Sequence, residues 1–221
     1  MIQAVLWDLD GVIIDTGEAH YRAWLQVFQP LGIQFTRDNF REIFGMNNTT
    51  ALSRYFDPET QLDLIHQVDQ EKEALFREQI LGQLHLLPGV AQWLSYFKDH
   101  GIPQAVASSA PQVNIDLIIH GLKVGRFFDA LVSGATIPGK PDPGVFLAAA
   151  RAVQAAPEYC VVVEDAVAGI QAACRAGMKS VAVTTTNPPD SLRDASLLLH
   201  SLADFDPAGL EAQLWPGDPL R

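Results

Sequence analysis

IQAVLWDLDGVIID, residues 2–15, runs through six residues without a charge and then sets two aspartates, Asp8 and Asp10, directly behind the apolar run. A short apolar run without polar alternation suits a strand covered on both faces. Similar runs follow at 103–107 (PQAVA), 129–133 (DALVS), 159–163 (YCVVV) and 180–184 (SVAVT). Between them lie amphipathic segments of helical length, at about 89–100, 111–121, 142–154 and 167–177. Pro88-Gly89 precedes the first of these, and Gly101, Gly121 and Gly177 close the first, second and fourth. The alternation predicts an α/β fold, a Rossmann-like doubly wound parallel sheet with helices on both faces.

Residues 17–83 break that rhythm. Stretches such as ETQLDLIHQVDQEKEALFREQI mix charged and apolar residues at helical spacing, with almost no β-branched runs. A helical cap inserted after the first strand accounts for this. The division is then 1–16 plus 84–221 for the catalytic core and 17–83 for the cap, with joints near Asp15–Gly17 and Gly82–Pro88. Cap movement about those joints is expected. The stretch from Pro207 to Arg221 reads as a last helix with a frayed end.

A chain of 221 residues with 48% hydrophobic content is long enough to bury a substantial core. Its formal charge of −11, with no run of Lys and Arg, argues against nucleic acid and anionic membranes as partners. A small anion remains compatible, because a few donors or a metal focused in one pocket suffice to bind it. Cys160 lies in an apolar run and Cys174 in an alanine-rich helical pattern, where a thiol serves as a small buried hydrophobe; no disulfide is expected. No stretch approaches the roughly 20 apolar residues that span a bilayer, and the chain reads as cytoplasmic.

Polar residues stand just behind the predicted strands: Asp8 and Asp10 after the first, Ser108 and Ser109 after AVA, Glu164 and Asp165 after CVVV. Lys140 follows the 129–133 run by a short loop. In a parallel sheet all ends of one polarity share one edge, so these four segments converge on one site. Four carboxylates packed there repel one another unless a cation intervenes. Magnesium, a hard ion that prefers oxygen ligands, fits that need. The serines and Lys140 supply donors for phosphate oxygens, and the set suits phosphoryl transfer. Read singly, Lys140 is a solvated surface lysine, Ser109 a helix N-cap, His20 a partly exposed structural residue and Asp15 a loop-fixing group.

DLDGVIID at 8–15, VASSA at 106–110, GKPDPGVF at 139–146 and VVVEDAVAGIQAA at 161–173 resemble, in order and spacing, the four motifs of the haloacid dehalogenase superfamily. The helical insertion is similar to the subgroup with a small helical cap, which includes β-phosphoglucomutase and phosphoglycolate-type phosphatases. The resemblance implies Asp8 as the nucleophile that forms an aspartyl-phosphate and Asp10 as general acid and base. It implies magnesium held by the Asp8 and Asp165 side chains and the Asp10 backbone carbonyl, with Glu164 as a ligand or as a partner behind the ligands. Ser108, Lys140 and backbone groups near Gly11 and Ser109 would grip the phosphoryl group. The implied ligand is a small phosphorylated metabolite, and the chain is expected to act as a monomer or weak homodimer.

The cap decides the phosphoryl acceptor. DTGEAHYRAW at 15–24, with Thr16, His20 and Trp24, resembles the β-phosphoglucomutase sequence leading into its cap and favours a sugar phosphate. FGMNNTTALSR at 44–54 points the other way: after the cap glycine, Gly45, the subgroup's mutase has an arginine where this chain has Asn48. A neutral amide anchors a second phosphate far less well than a guanidinium, although Arg41, Arg54 or Lys72 could substitute. A phosphatase is therefore expected ahead of a mutase. A dehalogenase has no need of Asp10, and a catalytically silent binding protein has no need of the full set.

Overall fold

A computed structural model describes residues 2–216. Six strands form one parallel sheet: β1 (Ala4–Trp7), β2 (Gln104–Ser108), β3 (Ala130–Ser133), β4 (Cys160–Glu164), β5 (Lys179–Val183) and β6 (Leu197–Leu199). Their spatial order is β3-β2-β1-β4-β5-β6, the doubly wound arrangement. The sequence reading finds the first five and misses β6. Three residues, two of them only partly buried, give too short a run to register beside the neighbouring loops.

Side chains alternate across the sheet because successive residues of a strand point to opposite faces. Val5, Trp7, Val106, Val161 and Val163 face α5 (Val90–Asp99) and α6 (Gln112–Gly121). Ala4, Leu6, Ala105, Ala107 and Val162 face α7 (Gly144–Ala152) and α8 (Val167–Arg175). β1, β2 and β4 are thus apolar on both sides, which is why their sequences show no alternation. Cys160 and Cys174 are both free thiols; Cys160 is buried, and burial pushes its thiol up to about 11. Cys174 corrects the expectation of burial: α8 buries Ala168, Gly169, Ile170, Ala172 and Ala173, and the next residue turns to solvent.

Four helices occupy the insertion: α1 (Gly17–Phe28), α2 (Arg37–Ile43), α3 (Asn48–Leu52) and α4 (Leu62–Ile80). They enclose their own aromatic cluster, built on Trp24, Phe28, Phe35, Phe40, Phe44 and Phe56. Thr36 and Asn39 form a reciprocal capping box that starts α2. The two chain crossings to the core are paired, since Leu87 N–H donates to Ile13 O at 2.9 Å and Ile14 bridges Leu86. Asp15 fixes the turn into α1 by accepting from Gly17 N–H at 3.1 Å.

The end of the described chain carries a single helical turn over Pro207–Gly209 and a short helix, α9 (Leu210–Leu214). The remainder of the expected frayed helix, 217–221, lies outside the described residues. No described helix is long and apolar enough to cross a membrane.

Candidate active site

Register brings the polar residues together. Trp7 of β1 pairs with Val106 of β2 and with Val163 of β4, so Asp8, Ser108 and Glu164 leave the sheet along one edge. Here the winding reverses, with β2 on one side of β1 and β4 on the other, and such a switch point opens a crevice. Asp8, Asp10, His20, Trp24, Gly45, Asn48, Ser108 and Ser109 line one cavity between this edge and the cap. Lys140, Glu164 and Asp165 are buried against Asp8.

Lys140 is the structural centre of that cluster. Its Nζ donates to Asp8 Oδ1 and to Glu164 Oε1, both at 2.7 Å, and its side chain is fully buried. Burial works against the charge, yet Asp8 and Glu164 hold the ammonium above the ordinary lysine value. The surface reading of this lysine fails because its partners arrive from β1 and β4, far away in sequence. Glu164 is satisfied on its other oxygen too, where Oε2 accepts from Asp165 N–H at 2.7 Å and Ala166 N–H at 2.6 Å. Of the two roles expected for Glu164, these bonds favour the partner behind the ligands.

Asp165 differs. One oxygen, Oδ2, accepts from the Thr186 hydroxyl, while Oδ1 is buried with no hydrogen-bond partner among the described residues. Burial pushes Asp165 well above the usual carboxylate range, and the charges of Glu164 and Asp8 add to it. Burial likewise pushes Asp8 up to about 7 against the opposing pull of Lys140, with Glu164 and Asp10 contributing. Oxygens of Asp8, Glu164 and Asp165 lie within 4.8 Å of one another. An orphaned carboxylate oxygen in a crowded acidic cluster fits a hard divalent cation. Gly11 keeps the cradle open: its φ is +82°, and a Cβ there would lie 1.9 Å from Asp165 Oδ2.

Asp10 sits in a different environment. Its Oδ1 accepts from the Thr16 hydroxyl at 2.6 Å and faces His20 Nε2 at 3.3 Å. Lys72 Nζ lies 2.9 Å from His20 Nδ1 and donates to it, which leaves Nε2 as the proton-bearing nitrogen toward Asp10. The imidazole is stacked on Phe76, with ring centroids 3.9 Å apart. Burial would raise Asp10, but His20, Thr16 and Lys72 together bring it below its ordinary value. His20 is buried, contrary to its reading as a partly exposed residue, because α4 packs Phe76 and Lys72 over it.

Ser109 is not a helix cap. Pro111 takes the N-cap position of α6, and the Ser109 hydroxyl donates to Gly45 O in the cap at 2.7 Å. Ser108 Oγ accepts from Ala110 N–H at 3.1 Å. A second tie comes from Asn47, which the sequence reading missed. Its buried amide donates to Ile137 O at 2.9 Å and Gly134 O at 3.2 Å, while its Oδ1 accepts from Thr50 N–H at 2.9 Å and starts α3. Gly45, at φ +84°, permits the close approach; a Cβ there would lie 2.8 Å from that of Ala166.

The haloacid dehalogenase-like hydrolase family matches residues 5–183. The chain belongs to that family. It is similar to the β-phosphoglucomutase of Bacillus subtilis strain 168, 33% identical over 92% of both chains. It is 30% identical to a phosphorylated carbohydrates phosphatase of Thermotoga maritima, covering 90% of this chain and 91% of that one. Among solved structures, β-phosphoglucomutase from Clostridium difficile superposes with a TM-score of 0.87 over 97% of both chains, at 26% identity. The Clostridium difficile enzyme thus shares this chain's fold.

Glu73 also escaped the sequence reading. Its Oε1 accepts from Lys72 at 2.5 Å and from Asn48 Nδ2 at 2.6 Å, and its Oε2 accepts from Asn114. A signal was present: along α4 the buried row Ile65, Val68, Lys72, Phe76, Ile80 holds a lysine where helical spacing calls for an apolar residue. Burial raises Glu73, but Lys72, His20 and the Asn48 amide outweigh it and bring it down to about 2. A carboxyl lowered in the folded state stabilises the fold above its unfolded value of 4.5 and loses that contribution as pH falls toward 2. We therefore expect the stability difference between the wild type and Glu73→Gln, on the order of 3 kcal/mol near neutrality, to shrink between those pH values. Denaturant unfolding at a series of pH values measures it, and a constant difference would contradict an ionised, stabilising Glu73.

Proposed function

We propose that the protein is a magnesium-dependent phosphohydrolase acting on small phosphorylated metabolites, with sugar phosphates as the leading class, through an aspartyl-phosphate on Asp8. The observation that carries this reading is the contrast between two carboxylates in one cavity. Asp8 is held by Lys140, and Asp10 by Thr16 and His20. Two acids tuned by different partners are suited to different jobs. Its family members include a phosphatase and a mutase of phosphorylated carbohydrates, which agrees with the substrate class.

In the first step an Asp8 oxygen attacks phosphorus, the ester P–O bond breaks, and the leaving oxygen takes a proton from Asp10. In the second, water attacks phosphorus and gives a proton back to Asp10. The Asp8–phosphorus bond then breaks, inorganic phosphate departs and both side chains are restored. The bonds from Thr16 and His20 favour the base form of Asp10, and the charge of an adjacent phosphoryl group pushes it back toward the acid. Magnesium would be held by Asp8, Asp165 and the Asp10 carbonyl, and when bound it offsets the negative charge of the cluster and of the phosphoryl oxygens. Lys140 orients Asp8, Glu164 orients Lys140, and Ser108 with the backbone near Gly11 and Ser109 receives phosphoryl oxygens.

Asp10→Ala is expected to slow turnover roughly 10²–10⁴-fold while magnesium binding, monitored by calorimetry, persists. Activity near the wild-type level would remove Asp10 from the mechanism.

Phosphomutase activity is the second reading, favoured by the likeness to two β-phosphoglucomutases. A screen of phosphorylated metabolites with magnesium, including β-glucose 1-phosphate, separates the two. Release of inorganic phosphate supports the hydrolase; formation of glucose 6-phosphate without it replaces that reading with the mutase.

A further inference from the structure

The cap side of the cavity is apolar over Trp24, Phe40, Ile43, Phe44, Met46 and Ala51, and its polar groups are His20, Asn48, Lys72 and Glu73. Every donor among the last three is already engaged. Asn48 Nδ2 donates to Asp69 Oδ1 at 2.5 Å and to Glu73 Oε1 at 2.6 Å, which uses both amide protons. Lys72 Nζ has three acceptors, Glu73 Oε1 at 2.5 Å, His20 Nδ1 at 2.9 Å and Asn48 Oδ1 at 3.5 Å, which match its three protons. The alternative cations lie elsewhere: Arg41 pairs with Asp38 and Arg54 with Glu42, on exposed surface. Arg77 reaches the network only through Asn114 Oδ1, at 3.0 Å.

At this end of the site the Lys72 ammonium is therefore answered by the Glu73 carboxylate, while Asp69, outside the cavity lining, holds the other amide proton of Asn48. We infer that the cap wall selects phosphomonoesters whose alcohol portion carries no second anionic group. This rests on the phosphohydrolase reading and narrows its substrate class. A second phosphate or a carboxylate placed here meets no free cation, only the Glu73 carboxylate beside an ammonium that is already engaged, and like charges brought together in a partly buried site repel strongly. Hydroxyl groups fare differently. A carboxylate has about four acceptor positions, and Glu73 receives three donors, so a sugar or glycerol hydroxyl finds an acceptor. Exclusion by an unfavourable contact is a recognised route to specificity, distinct from added attraction.

The test uses a matched pair, glycerol 3-phosphate and 3-phosphoglycerate, which present a hydroxymethyl group or a carboxylate at the same position. Binding of each to the full-length Asp8→Asn protein with magnesium is measured by calorimetry, and phosphate release is measured with the wild type. Glycerol 3-phosphate, the member without the carboxylate, is expected to bind at least about tenfold more tightly. Glu73→Gln, added to the Asp8→Asn background, lowers the negative charge beside Lys72 and should narrow that ratio by weakening discrimination against the carboxylate. Asp69→Asn, at a partly exposed position, removes a negative charge behind Asn48, should narrow the ratio to a smaller extent, and covers the case in which the Glu73 variant does not fold. Equal affinities, a preference for the carboxylate, or a ratio unmoved by the variants that fold would overturn the inference. A preserved binding preference without any phosphate release would instead overturn the phosphohydrolase reading and leave the selection rule standing.

Discussion

Asp8→Asn is expected to lower magnesium-dependent hydrolysis of p-nitrophenyl phosphate by roughly 10⁴-fold or more, a loss typical of removing a nucleophile that works as part of a set. The amide is nearly the same size, so the cavity keeps its shape, and the deficit lies in the bond that must form to phosphorus. Lys140 Nζ, 2.7 Å from Asp8 Oδ1, can keep a bond to the amide oxygen. The variant should therefore remain folded and still bind a phosphate ester. It should fail to accumulate label when the protein is incubated with a ³²P-phosphorylated substrate and quenched in acid, whereas the wild type should show an acid-stable protein-bound phosphate. Turnover within tenfold of wild type would take the nucleophile's role away from Asp8.

Lys140→Met is expected to cost roughly 3–5 kcal/mol of stability when magnesium is chelated, because it leaves buried carboxylates without their ammonium. Asp8 and Glu164 each lose a bond of 2.7 Å, and Asp165 stands beside them with an unpaired oxygen. Desolvation already raises Asp8 and Asp165, so the response of the mutant is to take up protons on those groups. Added magnesium should recover part of the lost stability, since a divalent ion supplies positive charge at the same cluster. Turnover should remain low even then, because the ion does not hold Asp8 in place. Urea unfolding in EDTA and in excess magnesium chloride measures both quantities; a stability loss below 1 kcal/mol in EDTA would show that Lys140 is not the charge that holds the cluster together.

The edge of the sheet was legible because its residues lie directly behind strands, where a run such as CVVV followed by Glu164 and Asp165 leaves little freedom of placement. Asp8, Ser108 and Glu164 meet through register alone. Lys140 needed the motif around it, since nothing about a lysine in a glycine-bearing loop announces complete burial. The cap was legible as helices but not as chemistry. Glu73 adjoins Lys72 in sequence, yet its other partners, Asn48 and Asn114, come from helices on either side of the site, and single-chain periodicity carries no information about that meeting. Asn47 was hidden for a related reason. It sits beside Asn48, and only the packing of α3 against the 134–137 loop distinguishes a clasp from a cavity wall. β6 and the solvent-facing Cys174 show the opposite limit, where residue type agrees with two environments and neighbours choose.

The Asn47 amide bonds to Gly134 and Ile137, and that same strip of backbone continues directly to Lys140. Grafting a foreign lid onto this scaffold is therefore not a modular exchange. A chimera lacking an amide at position 47 would release the segment leading to the lysine, so that altering what the enzyme recognises would also slow the chemistry it performs.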